Sequence, residues 1–271
     1  MSRLIWTLLL VSFLSGCSFF EQKDPTEGWS QQKLFTEAKS AMAGGAWDKA
    51  IDYYEKLESR YPYGKYAHQA QLDIAYAYYR NGEHDSARAA ADRFIKFHPN
   101  HPAEAYAHYL KGLSNFNRSI NFLTRFIPSD QSQRDPGGAL QSYQDFATVL
   151  EKFPDSEYTE DSRKRMLYLR NNLARYEIHV AKFYMKRGAF VAAANRANYV
   201  IENYQRTPAV SDALKIMTQA YTKLDMPELA KDAERVLAMN KDSGAIVDDP
   251  LKLRDENLVE NFWTLIGLDE N

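Results

Sequence analysis

Cysteine is almost absent from this sequence: one residue, Cys17, in 271 positions. A single thiol closes no internal disulfide, so stability must come from packing. Glycine and proline are scarce while tyrosine and phenylalanine are plentiful, which disfavours a turn-rich sheet protein and favours helices. Charge of one sign is lacking as well; the net of −2 gives no electrostatic case for nucleic acid. After residue 14 there is no apolar run long enough to span a bilayer. Catalytic signatures are missing too: there is no glycine-rich phosphate loop, no His-Glu-x-x-His and no Gly-x-Ser-x-Gly. His98, His101, Glu104 and His108 could in principle ligate a metal, but they cluster at a proline-containing connection where polar residues are expected anyway. No metal and no cofactor are expected, and the chain does not read as an enzyme.

What is present begins with an address. Arg3 precedes the apolar stretch Leu4–Leu14, and small residues lead into Leu14-Ser15-Gly16-Cys17. The stretch is too short for a comfortable span and has the layout of an export signal. Leu-Ser-Gly-Cys resembles the bacterial lipobox, which implies cleavage before Cys17 and acylation of that residue. Each buried methylene contributes about 0.8 kcal/mol, so several acyl chains would hold the protein on a membrane without a protein span. Ser18 stands where an aspartate would, under the enteric sorting rule, favour the inner membrane. Its presence points to the outer membrane, facing the periplasm. Residues 1–16 are therefore the signal and 17–30 a polar, acylated tether.

The remainder repeats itself. Gly45 and Gly82 lie thirty-seven positions apart, as do Pro62 and Pro99. Gly188 restarts the cadence, and Asp225 stands where the next glycine would fall. A middle unit starts with Gly112, thirty-seven positions after Ala75, and closes at Phe153-Pro154. This resembles the tetratricopeptide repeat, a helix–turn–helix unit of similar period. Glycine ends the first helix where a positive φ is needed, small residues let the two helices approach, and proline stops the second. One unit cannot bury its own apolar face, so the expected fold is an all-α, right-handed superhelical solenoid of about five repeats. Its N-terminal repeats occupy 31–135 and its C-terminal repeats 136–240. Residues 117–138 interrupt the third unit, and 241–271 form a linker and a short amphipathic helix carrying Leu258, Phe262, Leu265 and Ile266.

In such repeats the concave wall is lined by first-helix positions facing away from the helix pair. The glycine register gives Gln32, Phe35, Lys39 and Met42 in the first unit, Gln69, Leu72, Tyr76 and Tyr79 in the second, and Tyr106, Tyr109, Leu113 and Phe116 in the third. In the fourth and fifth it gives Arg175, Ile178, Lys182, Met185, Asp212, Lys215, Gln219 and Thr222. The wall thus changes from aromatic to charged along the chain. Rigid aromatics with polar tips suit an extended peptide that brings aromatics of its own. A register shifted by one would instead make these tyrosines core. The charged half, through Arg187, Arg196 and their neighbours, suits a folded polar surface.

Several segments carry a closer resemblance: Ser59-Arg60-Tyr61-Pro62-Tyr63-Gly64, Gln71–Tyr79, Asp92-Arg93-Phe94-Ile95 and Arg134-Asp135-Pro136. Together with the lipobox and five repeats, they are similar to the BamD (ComL) family, lipoproteins of the β-barrel assembly machinery. The resemblance runs through about residue 240. It implies a non-enzymatic scaffold on the periplasmic face of the outer membrane. The implied partners are the POTRA region of BamA, BamC where it exists, and the aromatic-ending signals of unfolded outer-membrane proteins. Tyr61 matches a position implicated in signal binding, with Tyr63 beside it, and Arg196 in Ala194-Asn195-Arg196 matches an arginine facing BamA. The competing readings are an adaptor lipoprotein for another envelope complex and an enzyme hidden in the insertion.

Overall fold

A computed structural model describes residues 24–118 and 136–242. Cys17, most of the insertion and the tail with Leu258, Phe262, Leu265 and Ile266 lie outside the described residues. Among the described residues there are ten helices and no strand. They are α1 (Gln31–Ala43), α2 (Trp47–Arg60), α3 (Ala67–Arg80), α4 (His84–Phe97) and α5 (Glu104–Arg118), followed by α6 (Gly137–Lys152), α7 (Thr159–Lys186), α8 (Phe190–Asn203), α9 (Ala209–Lys223) and α10 (Pro227–Asp242). They pair as α1/α2 through α9/α10, giving five helix–turn–helix units, and the fold is all-α.

Four of the turns inside the pairs, those among the described residues, follow one design. Gly45, Gly82 and Gly188 sit at φ of 71°, 83° and 73°, and Asp225 replaces glycine at 57°. The next amide reaches back over the helix end each time: Ala46 to the Ala41 carbonyl at 2.9 Å, Glu83 to Tyr78 at 2.9 Å, Ala189 to Tyr184 at 3.0 Å and Met226 to Tyr221 at 2.9 Å. This closure satisfies otherwise orphaned carbonyls and requires a left-handed residue, which glycine supplies without strain and aspartate tolerates. The connections between pairs have their own signature. Tyr61, His98, Phe153 and Tyr204 follow α2, α4, α6 and α8, and each leaves the helix while its amide still donates four residues back. Proline after the first three pushes the preceding residue out of the helical region.

The chain divides into two compact units, one through Ala70 and one from Gln71, with the boundary inside α3. In the first, α1 contributes Leu34, Ala38 and Ala41 to the core, and α2 contributes Ala50, Tyr54 and Leu57. Residues 24–29, read from the sequence as tether, are instead fastened to the end of α2. Arg60 pairs with Asp24 and donates to the Thr26 carbonyl at 2.7 Å, Lys56 meets Asp24 at 3.1 Å, and the Tyr61 hydroxyl donates to the Trp29 carbonyl at 2.9 Å. Hydrogen bonds from the Thr26 amide and hydroxyl hold the Asp24 carboxyl well below its usual pKa.

In the second unit successive helices from α4 to α10 pack in chain order, and α7 also packs on α9. The latter is the first-helix-on-first-helix stacking of a repeat array. One core joins Ala174, Ile178 and Ala181 of α7 to Ala193, Ala197 and Val200 of α8 and to Ala213 and Ile216 of α9. Alanine at five of these positions removes the bulk that would hold the helix axes apart. The fourth unit departs from expectation in one respect: α7 runs for 28 residues, twice the length of α8.

Candidate functional site

Tyr106, Tyr109, Leu113 and Phe116 recur at spacings of three and four on α5 and share one face. The start of α7 lies opposite them, with Tyr158 at its N-cap and Asp161, Arg165 and Tyr168 in its first half at the same spacing. Tyr109 and Tyr158 stack with centroids 4.9 Å apart and planes at 22°. Tyr158 also meets Tyr106 at 5.4 Å, and Phe116 meets Tyr168 at 5.7 Å. The Tyr109 hydroxyl donates to Asp161 at 2.7 Å, Arg165 Nε donates to the same carboxylate oxygen at 2.5 Å, and the guanidinium lies 5.2 Å from the Phe116 ring. From α3, Tyr76 lies 6.5 Å from Tyr79 and accepts a hydrogen bond from Arg80 at 2.7 Å, while Asn117 donates to the Tyr79 hydroxyl at 2.8 Å.

The result is an aromatic face in which the hydroxyls of Tyr76, Tyr79 and Tyr109 are anchored. Tyr76, Tyr79, Tyr106 and Tyr109 are all half-buried, neither sealed in the core nor freely exposed. Held rings lose little rotamer entropy when a ligand lands on them. Leu72, expected on the same wall, is 5% exposed and belongs to the core. Tyr61 and Tyr63 lie in the first unit: Tyr61 is half-buried at the end of α2 with its hydroxyl committed to Trp29, whereas Tyr63 is 98% exposed. The contribution of α7 was missed because the glycine register begins the fourth wall at Arg175.

Burial and the hydrogen bond to Asp161 push the Tyr109 phenol up to about 12, and burial raises Tyr106 further still. Asp161 is pulled below its usual value because the bonds from Tyr109 and Arg165 outweigh its desolvation. A phenol whose folded pKa exceeds its unfolded value leaves the native state holding more protons above about pH 10. Stability contributed here is therefore complete below pH 10 and is lost as pH rises toward 12. In an alkaline titration followed by phenolate absorbance, Tyr109 is expected to ionise late. Tyr109→Phe should remove one late-ionising group, and an unchanged late fraction would show that this ring is not in the face described.

The expected charged wall of the last two units resolves into a cavity of about 850 Å³ between α7 and α9. Lys182, Met185, Asp212, Lys215 and Gln219 line it as expected, whereas Ile178 is buried in the core. Apolar groups are more prominent than the register suggested, since Val180, Phe183 and Ile216 also line it. Asp212 lies 3.7 Å from Lys182 and 3.6 Å from Lys215. Arg187 covers Phe183 at 5.3 Å, and Asn195 is exposed on α8. Arg196 donates to Glu177 at 3.0 Å, which raises the arginine's pKa; Glu177 itself is 8% exposed, so Arg196 has a structural task within the chain.

The histidines near the second connection also hold local structure. His98 Nε2 lies 2.7 Å from Gln71 Oε1, His101 Nδ1 accepts from the Ala103 amide at 3.1 Å, and Glu104 accepts from the Asn100 amide at 2.8 Å. Among the described residues no three groups are placed to share a metal, and no helix is long and apolar enough to cross a membrane.

A family model described as "Outer membrane lipoprotein" (YfiO) matches residues 28–237. The chain is 42% identical over 259 residues to the outer membrane protein assembly factor BamD of Neisseria meningitidis serogroup B, covering 94% of this chain and 97% of that protein. It is 35% identical over 233 residues to the BamD of Vibrio cholerae, covering 86% and 96%. A solved tetratricopeptide repeat protein from Parabacteroides merdae is similar at a TM-score of 0.30 and 13% identity, over 77% of this chain and 93% of that one. These relatives are named as assembly factors, and the chain is a non-enzymatic member of their kind. With the match spanning the repeats from the first pair to the last, the chain belongs to the YfiO family of outer membrane lipoproteins, the family of the assembly factor BamD.

Proposed function

We propose that this protein is a scaffold subunit of the outer-membrane β-barrel assembly complex, acylated at Cys17 and held on the periplasmic face of the outer membrane. The aromatic face of α3, α5 and α7 receives the aromatic-ending segments of unfolded outer-membrane proteins. The surface around Arg187, Asn195 and Arg196 meets the POTRA region of BamA, with BamC an additional partner where it exists. Anchoring both surfaces to one membrane raises their effective concentration, and no bond is made or broken.

The observation that carries the reading is the set of half-buried tyrosines, Tyr76, Tyr79, Tyr106 and Tyr109, three of them with anchored hydroxyls. Such a surface offers contact area at small entropic cost. Tyr76→Ala is expected to weaken binding of a peptide ending in phenylalanine by about tenfold while shifting the thermal midpoint by only a few degrees. Equal losses of binding and stability would make these rings structural. Tyr61 is a poorer probe, because its side chain holds Trp29 and its loss disturbs the fold.

The second arm tests the BamA surface. Arg196→Glu confuses two effects, since it also sets a carboxylate beside Glu177. The neutral pair Glu177→Gln/Arg196→Gln keeps a hydrogen bond and removes both charges. It should retain near-normal stability yet lose BamA in co-purification from detergent-solubilised membranes; undiminished recovery of BamA would remove Arg196 from the interface. Recovery of cell-wall synthases without any barrel protein would favour the adaptor reading instead.

A further inference from the structure

The cavity between α7 and α9 has a particular chemistry. Its floor is apolar, from Val180, Phe183, Met185 and Ile216, and its lining charges are three lysines against one aspartate. Lys182 and Lys215 share that single carboxylate, and Lys186 makes no ion pair among the described residues. Phe183 remains 53% exposed. An occupant matched to this lining would bring apolar side chains flanked by surplus carboxylates. A free anion would not use the floor, and a purely apolar segment would leave the lysines unanswered.

This chain contains such a segment. Residues 243–271 carry seven carboxylates against Lys252 and Arg254, interspersed with Leu258, Phe262, Trp263, Leu265 and Ile266. The segment starts beside the site: α10 ends at Asp242 and packs on α9, which supplies Asp212, Lys215, Ile216 and Gln219 to the lining. Twenty-nine residues at roughly 3.3 Å each exceed the width of two helices several times over, so reach imposes no restriction.

We propose that residues 243–271 of this chain bind in the α7/α9 cavity, their apolar side chains on its floor and their carboxylates toward Lys182, Lys186 and Lys215. The site is separate from the aromatic face, and occupying it needs no other protein. The apolar contacts supply affinity, while the charges set orientation and exclude basic or neutral competitors.

The full chain tests this directly. With a photoreactive benzoylphenylalanine replacing Phe262, irradiation is expected to give adducts within the same molecule, mapping to Tyr176–Lys186 or Asp212–Gln219. Lys182→Glu/Lys215→Glu should reduce their yield by about tenfold, since like charges then face each other. Adding Asp255→Lys/Glu256→Lys/Glu260→Lys to that background should restore it. Should the double reversal disturb helicity, Lys186→Glu alone, at an exposed position, should still lower the yield severalfold. Adducts that map elsewhere, or whose yield ignores the lysines, overturn the proposal. Adducts joining isotopically distinguishable chains also overturn it, by giving the cavity to a second copy.

Discussion

Asp145→Ala is expected to lower the free energy of unfolding by about 3 kcal/mol, because it breaks a charge network inside the helix stack. The Asp145 side chain, 6% exposed on α6, accepts from Asn115 Nδ2 at 2.7 Å and lies 3.4 Å from the Lys111 ammonium. Lys111 is only 15% exposed and reaches Asp92 of α4 at 2.6 Å. Burial alone would lower the lysine's pKa; the bond with Asp92 and the charge of Asp145 outweigh it and leave the value raised. Removing the carboxylate strands a buried ammonium with one solvated partner and leaves Asn115, 2% exposed, without its acceptor. Lys111→Met should be costly for the converse reason. Lys111→Met/Asp145→Asn should cost clearly less than the single variants Lys111→Met and Asp145→Asn combined, since no buried charge remains and Asn115 keeps an acceptor. Urea unfolding of the four proteins measures the coupling, and strictly additive losses would show that the pair does not act as a unit. The network ties α4, α5 and α6, so it fixes the angle at which the third helix pair meets the preceding helix.

The helical pairs could be read from the sequence because their phase is written in backbone chemistry. A left-handed residue ends the first helix of four pairs among the described residues, and glycine at 45, 82 and 188 announces it; even Asp225 was recoverable, from spacing alone. The aromatic face was partly readable for a similar reason, since Tyr76, Tyr106 and Tyr109 fall at fixed distances from those glycines. Leu72 shows the limit of such counting. It lies one turn from Tyr76 on the same helix face, but its side chain ends below the surface that a tyrosine hydroxyl reaches. The extra length of α7 had a signal that spacing to glycine does not capture: neither glycine nor proline occurs between Pro154 and Gly188. Continuous helix follows, and with it the stripe Tyr158, Asp161, Arg165 and Tyr168. The fastening of Asp24 to Arg60 and of Glu177 to Arg196 had no local signal, because each joins elements whose meeting depends on the finished fold.

At Gly112 the helix gives up intrinsic stability for proximity. Glycine inside a helix is about 1 kcal/mol worse than alanine, so Gly→Ala at an open position would stabilise. Here a Cβ would lie 2.5, 2.7 and 2.9 Å from three ring atoms of Phe146, which is itself fully buried. The ring has nowhere to retreat, with Tyr109 at 5.9 Å, and the Ser142 hydroxyl binds the Gly112 carbonyl at 2.9 Å, holding α6 against α5. Gly112→Ala is therefore expected to destabilise by about 1–3 kcal/mol despite its better helix propensity, and Gly112→Val by more. Phe146→Leu alone should leave a cavity and cost stability, yet in the Gly112→Ala background it should recover part of the loss, since each change relieves the other. Thermal unfolding of the four proteins reads the sign of that coupling; no recovery in the double variant would mean the close approach is not what sets the cost. The consequence reaches the surface. Tyr109 and Phe116 lie three residues before and four after Gly112, so forcing α5 away from α6 also shifts the rings that α5 presents to α7. Gly112→Ala should then weaken binding of an aromatic-ended peptide without touching it, whereas a destabilised protein that binds at full strength would uncouple the packing of the third helix pair from the face it carries.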